Sequence, residues 1–355
     1  MFQNAIRFAL GSMLGCMMLA AGGVARAATA LPPPPDAYEC NYWPVVISQP
    51  GSYVLTANLV MPTSCNKDAI DITANNVTLD LGGYSIIGTG AGTGIGISGS
   101  HSSSVTVKNG IVTRFPGDGI LLGANATVED VTSSSNASAS NGNGVQITNG
   151  IVRRVHATGN SIGIFASATN VPSLITESDA SNNTLGGISA NLGTISNDTA
   201  LFNGSSNSAY GIRCADASVL GNEVENNGVG ITCNSAGATI ANNTSNHNRD
   251  QGIGATGQIF NNTVSFNGGA GIVVQDGPSS VISNSVGNNA GYGIDMGTNT
   301  SYGNNQIYEN SGEEPGGIAA GALGATSQTS GGVVISPNVC DGTVQTTTGT
   351  GVACN

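Results

Sequence analysis

The sequence predicts an all-β chain wound as a single-stranded right-handed parallel β-helix, a solenoid of about twelve coils with N- and C-terminal caps. Three observations predict it. A Gly followed by Ile or Val recurs from Gly96-Ile97 onward, placing aliphatics at Ile97, Ile120, Val145, Ile164, Ile188, Ile212, Ile231, Ile253, Ile272, Ile294 and Ile318, with a mean spacing of 22.1 residues. A second aliphatic column keeps step with the first: Val128, Val152, Leu174, Ile195, Val219, Ile240, Ile259 and Val281. Eight residues after each of these stands an Asn: Asn136, Asn160, Asn182, Asn203, Asn227, Asn248, Asn267 and Asn289.

The spacing carries its own physics. About 22 residues close one coil of short strands and turns, and neighbouring coils pair in parallel register at roughly 4.8 Å. Each aliphatic column then becomes a stack inside the tube. Strand side chains alternate, so the residue two after each Gly-Ile position points inward again. Those positions read Leu122, Ile147, Ala166, Ala190, Cys214, Cys233, Ala255, Val274, Met296 and Ala320, all apolar. The Asn column predicts a structural ladder along one edge, each amide bonded to the coils above and below. Composition agrees: 53 Gly, 39% hydrophobic and only 8% charged residues suit coils that each bury a few side chains.

The ends are read from local signals. Arg7, the apolar run Phe8 to Ala21 and the small-x-small site Ala25-Arg26-Ala27 predict a signal peptide over 1–27. The run is shorter than the roughly 20 residues that a membrane span needs. Residues 28–68 are expected to form a Pro-rich linker and N-terminal cap, 69–325 the β-helix and 326–355 the C-terminal cap. Export would leave seven bases against 21 acids, a net charge of −14, which argues against nucleic acid as a partner. Six cysteines remain, in local pairs suited to an oxidising compartment: Cys40 with Cys65, Cys214 with Cys233, and Cys340 with Cys354. Cys214 and Cys233 fall in the same inward slot of adjacent coils, so they either bond or remain as two buried thiols.

The segments Ala238-Thr239-Ile240-Ala241-Asn242-Asn243 and Gly257-Gln258-Ile259-Phe260-Asn261-Asn262 resemble the coils of the pectate-lyase-type parallel β-helix superfamily. Residues 72–83 resemble the first coil of secreted bacterial β-helix repeat proteins. The likeness covers about residues 45 to 325 and implies a scaffold on which enzymes act on polysaccharides from the outer face of one sheet. The hydrolase-type motifs of such relatives and the Arg-Pro-Arg of pectate lyases are absent. Tyr292-Gly293-Ile294-Asp295 resembles the start of the alginate C5-epimerase signature, but Met296, Gly297 and Thr298 replace its Pro, His and Glu. The resemblance makes Tyr292 and Asp295 catalytic candidates, joined by Arg249 and Asp250 from the one cluster of His, Arg and Asp, Asn246 to Asp250. Such chemistry must neutralise a uronate carboxylate, which an acidic protein would manage through bound calcium or through Arg249. No His pair has metal-ligand spacing.

Three readings of function follow. The first is an exported protein, periplasmic or extracellular and monomeric, that binds a polysaccharide or cell-surface partner on its outer face without a membrane span. The second is a polysaccharide lyase or C5-epimerase acting on a uronic-acid glycan. The third is a periplasmic scaffold for metalloprotein maturation, which lacks the Met and His clusters that copper would need. Outward positions next to Gly-Ile, from Ser98 through Phe165 and Arg213 to Asp295, are bland and short of aromatic platforms.

Overall fold

The computed structural model describes residues 27–35, 39–63, 65–136, 142–168, 170–275, 277–296 and 299–311, with four short strand segments at 329–330, 333–334, 339–340 and 343–344. The expected signal peptide, Ile318, Ala320 and Cys354 lie outside these residues. The described chain is a parallel β-helix with three faces. The first face carries the Gly-Ile strands, in unbroken parallel register from Val45–Ile47 and Ile70–Ile72 through Ile188 and Ile212 to Ile294–Met296. Each Ile of this column is fully buried, worth roughly 2 to 3 kcal/mol of transfer free energy. The second face pairs strands such as Gly150–Arg153 with Ser173–Thr176, and the third pairs Thr199–Leu201 with Glu223–Glu225 and Thr244–Asn246.

Two sharp corners bound the third face, and both are built in the same way. At each corner one residue takes a left-handed conformation, and the next residue points inward. Before the third face these left-handed residues include Asn242 and Asn261, and after it Asn226 and Asn288, all with φ between 57° and 58°. Asn tolerates that region better than most residues do, which explains the Asn-Asn pairs of the repeat. The following residues form two buried ladders. After the third face, Asn203 N–H donates to Asn227 Oδ1 at 2.9 Å and Asn227 N–H to Asn248 Oδ1 at 3.0 Å. Before it, Asn222 N–H donates to Asn243 Oδ1 and Asn243 N–H to Asn262 Oδ1, both at 2.9 Å. The expected ladder is therefore present, and a second one, not foreseen, runs beside it.

The Gly of Gly-Ile is explained by that ladder. A Cβ on Gly187 would lie 2.8 Å from Asn203 Nδ2, and one on Gly211 would lie 2.7 Å from Asn227 Nδ2 and 2.9 Å from the Gly230 carbonyl oxygen. The ladder amide shares the space of the missing side chain with the carbonyl oxygen of the next coil and, at Gly211, with a Val224 methyl group. The two sequence columns describe one packing site.

One coil departs from the expected register. Ile175, not Leu174, pairs with Val152 and Ile195, and Leu174 is 37% exposed. A slip of one residue turns each side chain to the opposite face of a strand. The ladder residue moves with it: Asn183 bonds Asn160 and Asn203, whereas Asn182 is the exposed left-handed corner residue with φ 58°. The eight-residue offset itself survives, running from Ile175 to Asn183.

Parallel pairing already begins at Thr29–Leu31, which lies against Gly51–Leu55, and buried Trp43 joins the same core. Beyond Ile294–Met296 the strand paired on the first face is Thr329–Ser330. An antiparallel pairing of Val339–Cys340 with Thr343–Val344 follows. Disulfides join Cys40 to Cys65 and Cys214 to Cys233, with Cα atoms 5.1 Å and 4.5 Å apart. No described helix is long and apolar enough to cross a membrane.

Candidate functional site

The first face offers its outward side chains between the inward ones. Asp295 sits there, beside Val273 on the preceding coil, and Tyr292 stands just before the same strand. Arg249 and Asp250 lie in the turn after ladder residue Asn248, with their N–H groups bonded at 2.8 Å to the carbonyl oxygens of Asn227 and Gly228. Backbone bonds link Asp250 to Gly269 and Gly269 to Gly291, so this turn lies two coils from Tyr292, about 10 Å along the axis. The four candidates therefore fall into two groups rather than one cluster.

Of the histidines, His247 precedes the Arg249–Asp250 turn and His156 stands apart from both groups. His247 stacks on Phe266, with ring centroids 5.1 Å apart, and His156 Nδ1 lies 2.9 Å from Asp179 Oδ2 on an exposed edge. Among the described residues no three His, Cys, Asp or Glu side chains gather as a metal site.

Another constellation lies on the first face several coils earlier. Tyr210 and Arg213 belong to the strand Tyr210–Leu220, paired with the coil that carries Gly186 and Ser189. The Tyr210 ring lies against Gly186, which has no side chain to obstruct it. The Arg213 guanidinium sits 4.4 Å from the ring centroid, a cation–π contact. Burial raises the Tyr210 hydroxyl above its usual pKa, while Arg213 and Ser189 pull it back. That hydroxyl is buried and makes no hydrogen bond of good geometry. Arg213 is exposed and forms no ion pair among the described residues, unlike Arg153 and Arg154, which bind Glu129 and Asp130 on the far corner. The sequence signal for this site was faint: a Tyr-Gly-Ile-Arg coil, read only as one outward Arg among bland neighbours.

Two acids at the entry to the first face serve the backbone instead. Asp68 and Asp118 accept the N–H groups of Ile95 and Asn143, and burial pushes both carboxyls up.

Comparison with known proteins agrees with this architecture. Residues 193–312 match the family model described as the right handed beta helix region. The periplasmic alginate epimerase AlgG superposes with a TM-score of 0.52 at 13% identity, over 83% of this chain and 78% of that one. The Dettilon tailspike protein gp208 superposes with a TM-score of 0.51 at 15% identity, over 79% of this chain. The match spans 58% of the tailspike chain. Identities this low establish shared fold. No curated protein sequence matches the chain. The repeat, the three-faced coil and these matches together show that the chain has the right-handed β-helix fold.

Proposed function

We propose that this is an exported polysaccharide-binding protein, periplasmic or extracellular, whose first face engages the glycan at Tyr210 and Arg213. The single observation that carries the reading is Arg213: an exposed cation without an ion pair among the described residues, laid on an aromatic ring, in a chain of net charge −12. An exposed guanidinium held in place by the buried ring beneath it suits a sugar that presents a carboxylate or ring hydroxyls. Ser189 and Thr232 flank Arg213 on the neighbouring coils with hydroxyl groups. The fold shared with an alginate epimerase supports a glycan partner.

A second reading is elimination or C5-epimerisation on a uronic-acid glycan at Tyr292 and Asp295. It is favoured by the outward placement of Asp295 with Tyr292 on the same coil. Such chemistry removes the C5 proton and needs a base and an acid on opposite sides of the sugar ring.

A glycan array followed by titration calorimetry separates the readings. Arg213→Gln should weaken the best glycan by about tenfold, the scale of one charged hydrogen bond. Unchanged affinity would reject the Tyr210–Arg213 site. In parallel, alginate and pectate are assayed with calcium for unsaturated uronate and for C5 inversion. Turnover abolished by Tyr292→Phe and Asp295→Asn supports the second reading.

A further inference from the structure

The corner after the third face holds an unusual column. Its left-handed position is filled on four successive coils by Phe202, Asn226, His247 and Phe266, with φ between 52° and 57°. Bulky aromatic residues are disfavoured in that conformation, and other coils place Asn182 and Asn288 there. Phe202 and Phe266 are also 56% and 54% exposed, so the conformational cost brings little burial in return. His247 and Phe266 stack on one another with planes 8° apart. Phe202 stacks on no ring among the described residues. At Phe202 the backbone cost is met by neither burial nor a ring contact among the described residues, which points to a role outside the fold.

Phe202 and His247 are two coils apart, about 10 Å along the axis. Between them stands Asn226, exposed and shorter than either ring. The corner therefore has a notch with an aromatic ring at each end and an amide at its floor. One residue back, a polar strip runs alongside from Glu225 through Asn246 to Ser265, after Leu201 on the Phe202 coil. Glu225 Oε1 accepts from Asn246 Nδ2 at 3.3 Å, and Asn246 Oδ1 accepts from the Ser265 hydroxyl at 2.8 Å and the Ser265 N–H at 3.0 Å. These bonds fix the strip in place while Glu225 keeps further lone pairs for hydroxyl donors.

We propose that this notch is a subsite for one uncharged pyranose unit of a glycan, held between Phe202 and His247 and hydrogen-bonded by Asn226 and Glu225. The apolar C–H faces of a pyranose pack on aromatic rings, and a notch two coils long accommodates one sugar between two rings. Glu225, with Glu223 on the same strand, excludes an acidic sugar by like-charge repulsion. A large protein–protein contact favours a continuous apolar patch, and here Asn226 interrupts the rings and a polar strip borders His247 and Phe266. The inference rests on the reading that the protein binds glycan, but places this subsite on a different face from Arg213.

The test is affinity electrophoresis of the mature protein through gels containing a neutral β-glucan, a galactomannan or alginate. Thermal midpoints are measured on the same samples. Phe202→Asn installs the residue used on neighbouring coils, so it should leave the midpoint unchanged or higher while weakening retardation by a neutral polysaccharide about tenfold. His247→Asn should do the same. Wild-type retardation by a neutral glycan that Phe202→Asn leaves intact overturns the subsite, as does binding lost together with a lowered midpoint. Wild-type retardation by alginate alone overturns it while leaving the Arg213 reading standing. Retardation by no glycan overturns both. If instead Phe202→Asn abolishes self-association in sedimentation, the rings join copies of the chain and the subsite is rejected.

Discussion

Asp198 accepts the backbone N–H of Ser178 at 2.7 Å and occupies the ladder position that the next five coils give to Asn222, Asn243, Asn262, Asn284 and Asn305. In Asn222 and Asn243 the amide Nδ2 donates to a core carbonyl one coil back and to the next Oδ1. Asp198 puts an oxygen in that slot. Its Oδ2 is buried and makes no hydrogen bond, and the residue is 2% exposed.

Burial accordingly raises the Asp198 carboxyl to about 7, against a backbone N–H bond from Ser178 that lowers it. A protonated carboxyl restores the donor that the ladder expects. The sign follows from linkage: the folded chain holds a proton that the unfolded chain releases near pH 4. The associated stability is present below that pH and is lost as pH rises toward 7, by roughly 4 kcal/mol. Asp198→Asn should therefore match the wild type at pH 4 and unfold at higher temperature or urea at pH 8. A difference between the two proteins that stays constant with pH would reject the assignment.

The register of the ladder gives a second expectation. Asn183→Ala removes Nδ2 bonds to the Ala157 carbonyl oxygen and Asn203 Oδ1, and strands the Asn160 N–H. Leaving buried groups unpaired should cost about 3 kcal/mol in urea denaturation. Asn182→Gly, one residue earlier, touches only an exposed left-handed corner and should change stability by less than about 0.5 kcal/mol. Equal losses at both positions would restore the register first read from the sequence.

How far the fold was legible follows from these residues. The Gly-Ile column was, because a Gly forced by close approach and an Ile forced by burial leave little freedom. The Leu174–Ile175 step was not, because two adjacent aliphatics satisfy any spacing rule and only pairing with Val152 chooses between them. The second ladder escaped because one of its members is an Asp and the start of its column holds Ser178 and Val155. The site was far less legible. Exposed rings at Phe202 and Phe266 leave no periodic signal, since other coils hold Asn182, Asn226 and Asn288 at the same position. The Tyr210–Arg213 contact joins two ordinary residues of one strand.

The Gly-Ile pairing can be tested directly. Gly211→Ala drives a methyl group against Val224 and into Asn227 Nδ2. Neither neighbour can yield without opening the ladder, so the substitution should cost about 3 kcal/mol. Gly83→Ala meets nothing within 4 Å, and its cost, about 1 kcal/mol, should come from φ of +82° alone. Similar small losses in both would show that the ladder amide does not fill the Gly211 site.

The Cys214–Cys233 bond crosses adjacent coils inside the tube, with the inward slots on either side held by Ala190 and Ala255. The slot thus accepts a methyl group, and replacing both cysteines by Ala should leave the coil geometry intact. What is lost is the cross-link over 19 residues of sequence, worth about 3 kcal/mol through the unfolded chain. The double variant should melt lower than the wild type, while reduced wild type should melt with the variant. Cys214→Ala alone leaves Cys233 as a thiol with no exposed surface. That thiol should resist alkylation in the folded protein and react fully in denaturant. Non-reduced peptide mapping provides the direct check: a peptide pair joined through Cys214 and Cys233 is expected, and two free thiols at these positions would refute the bond.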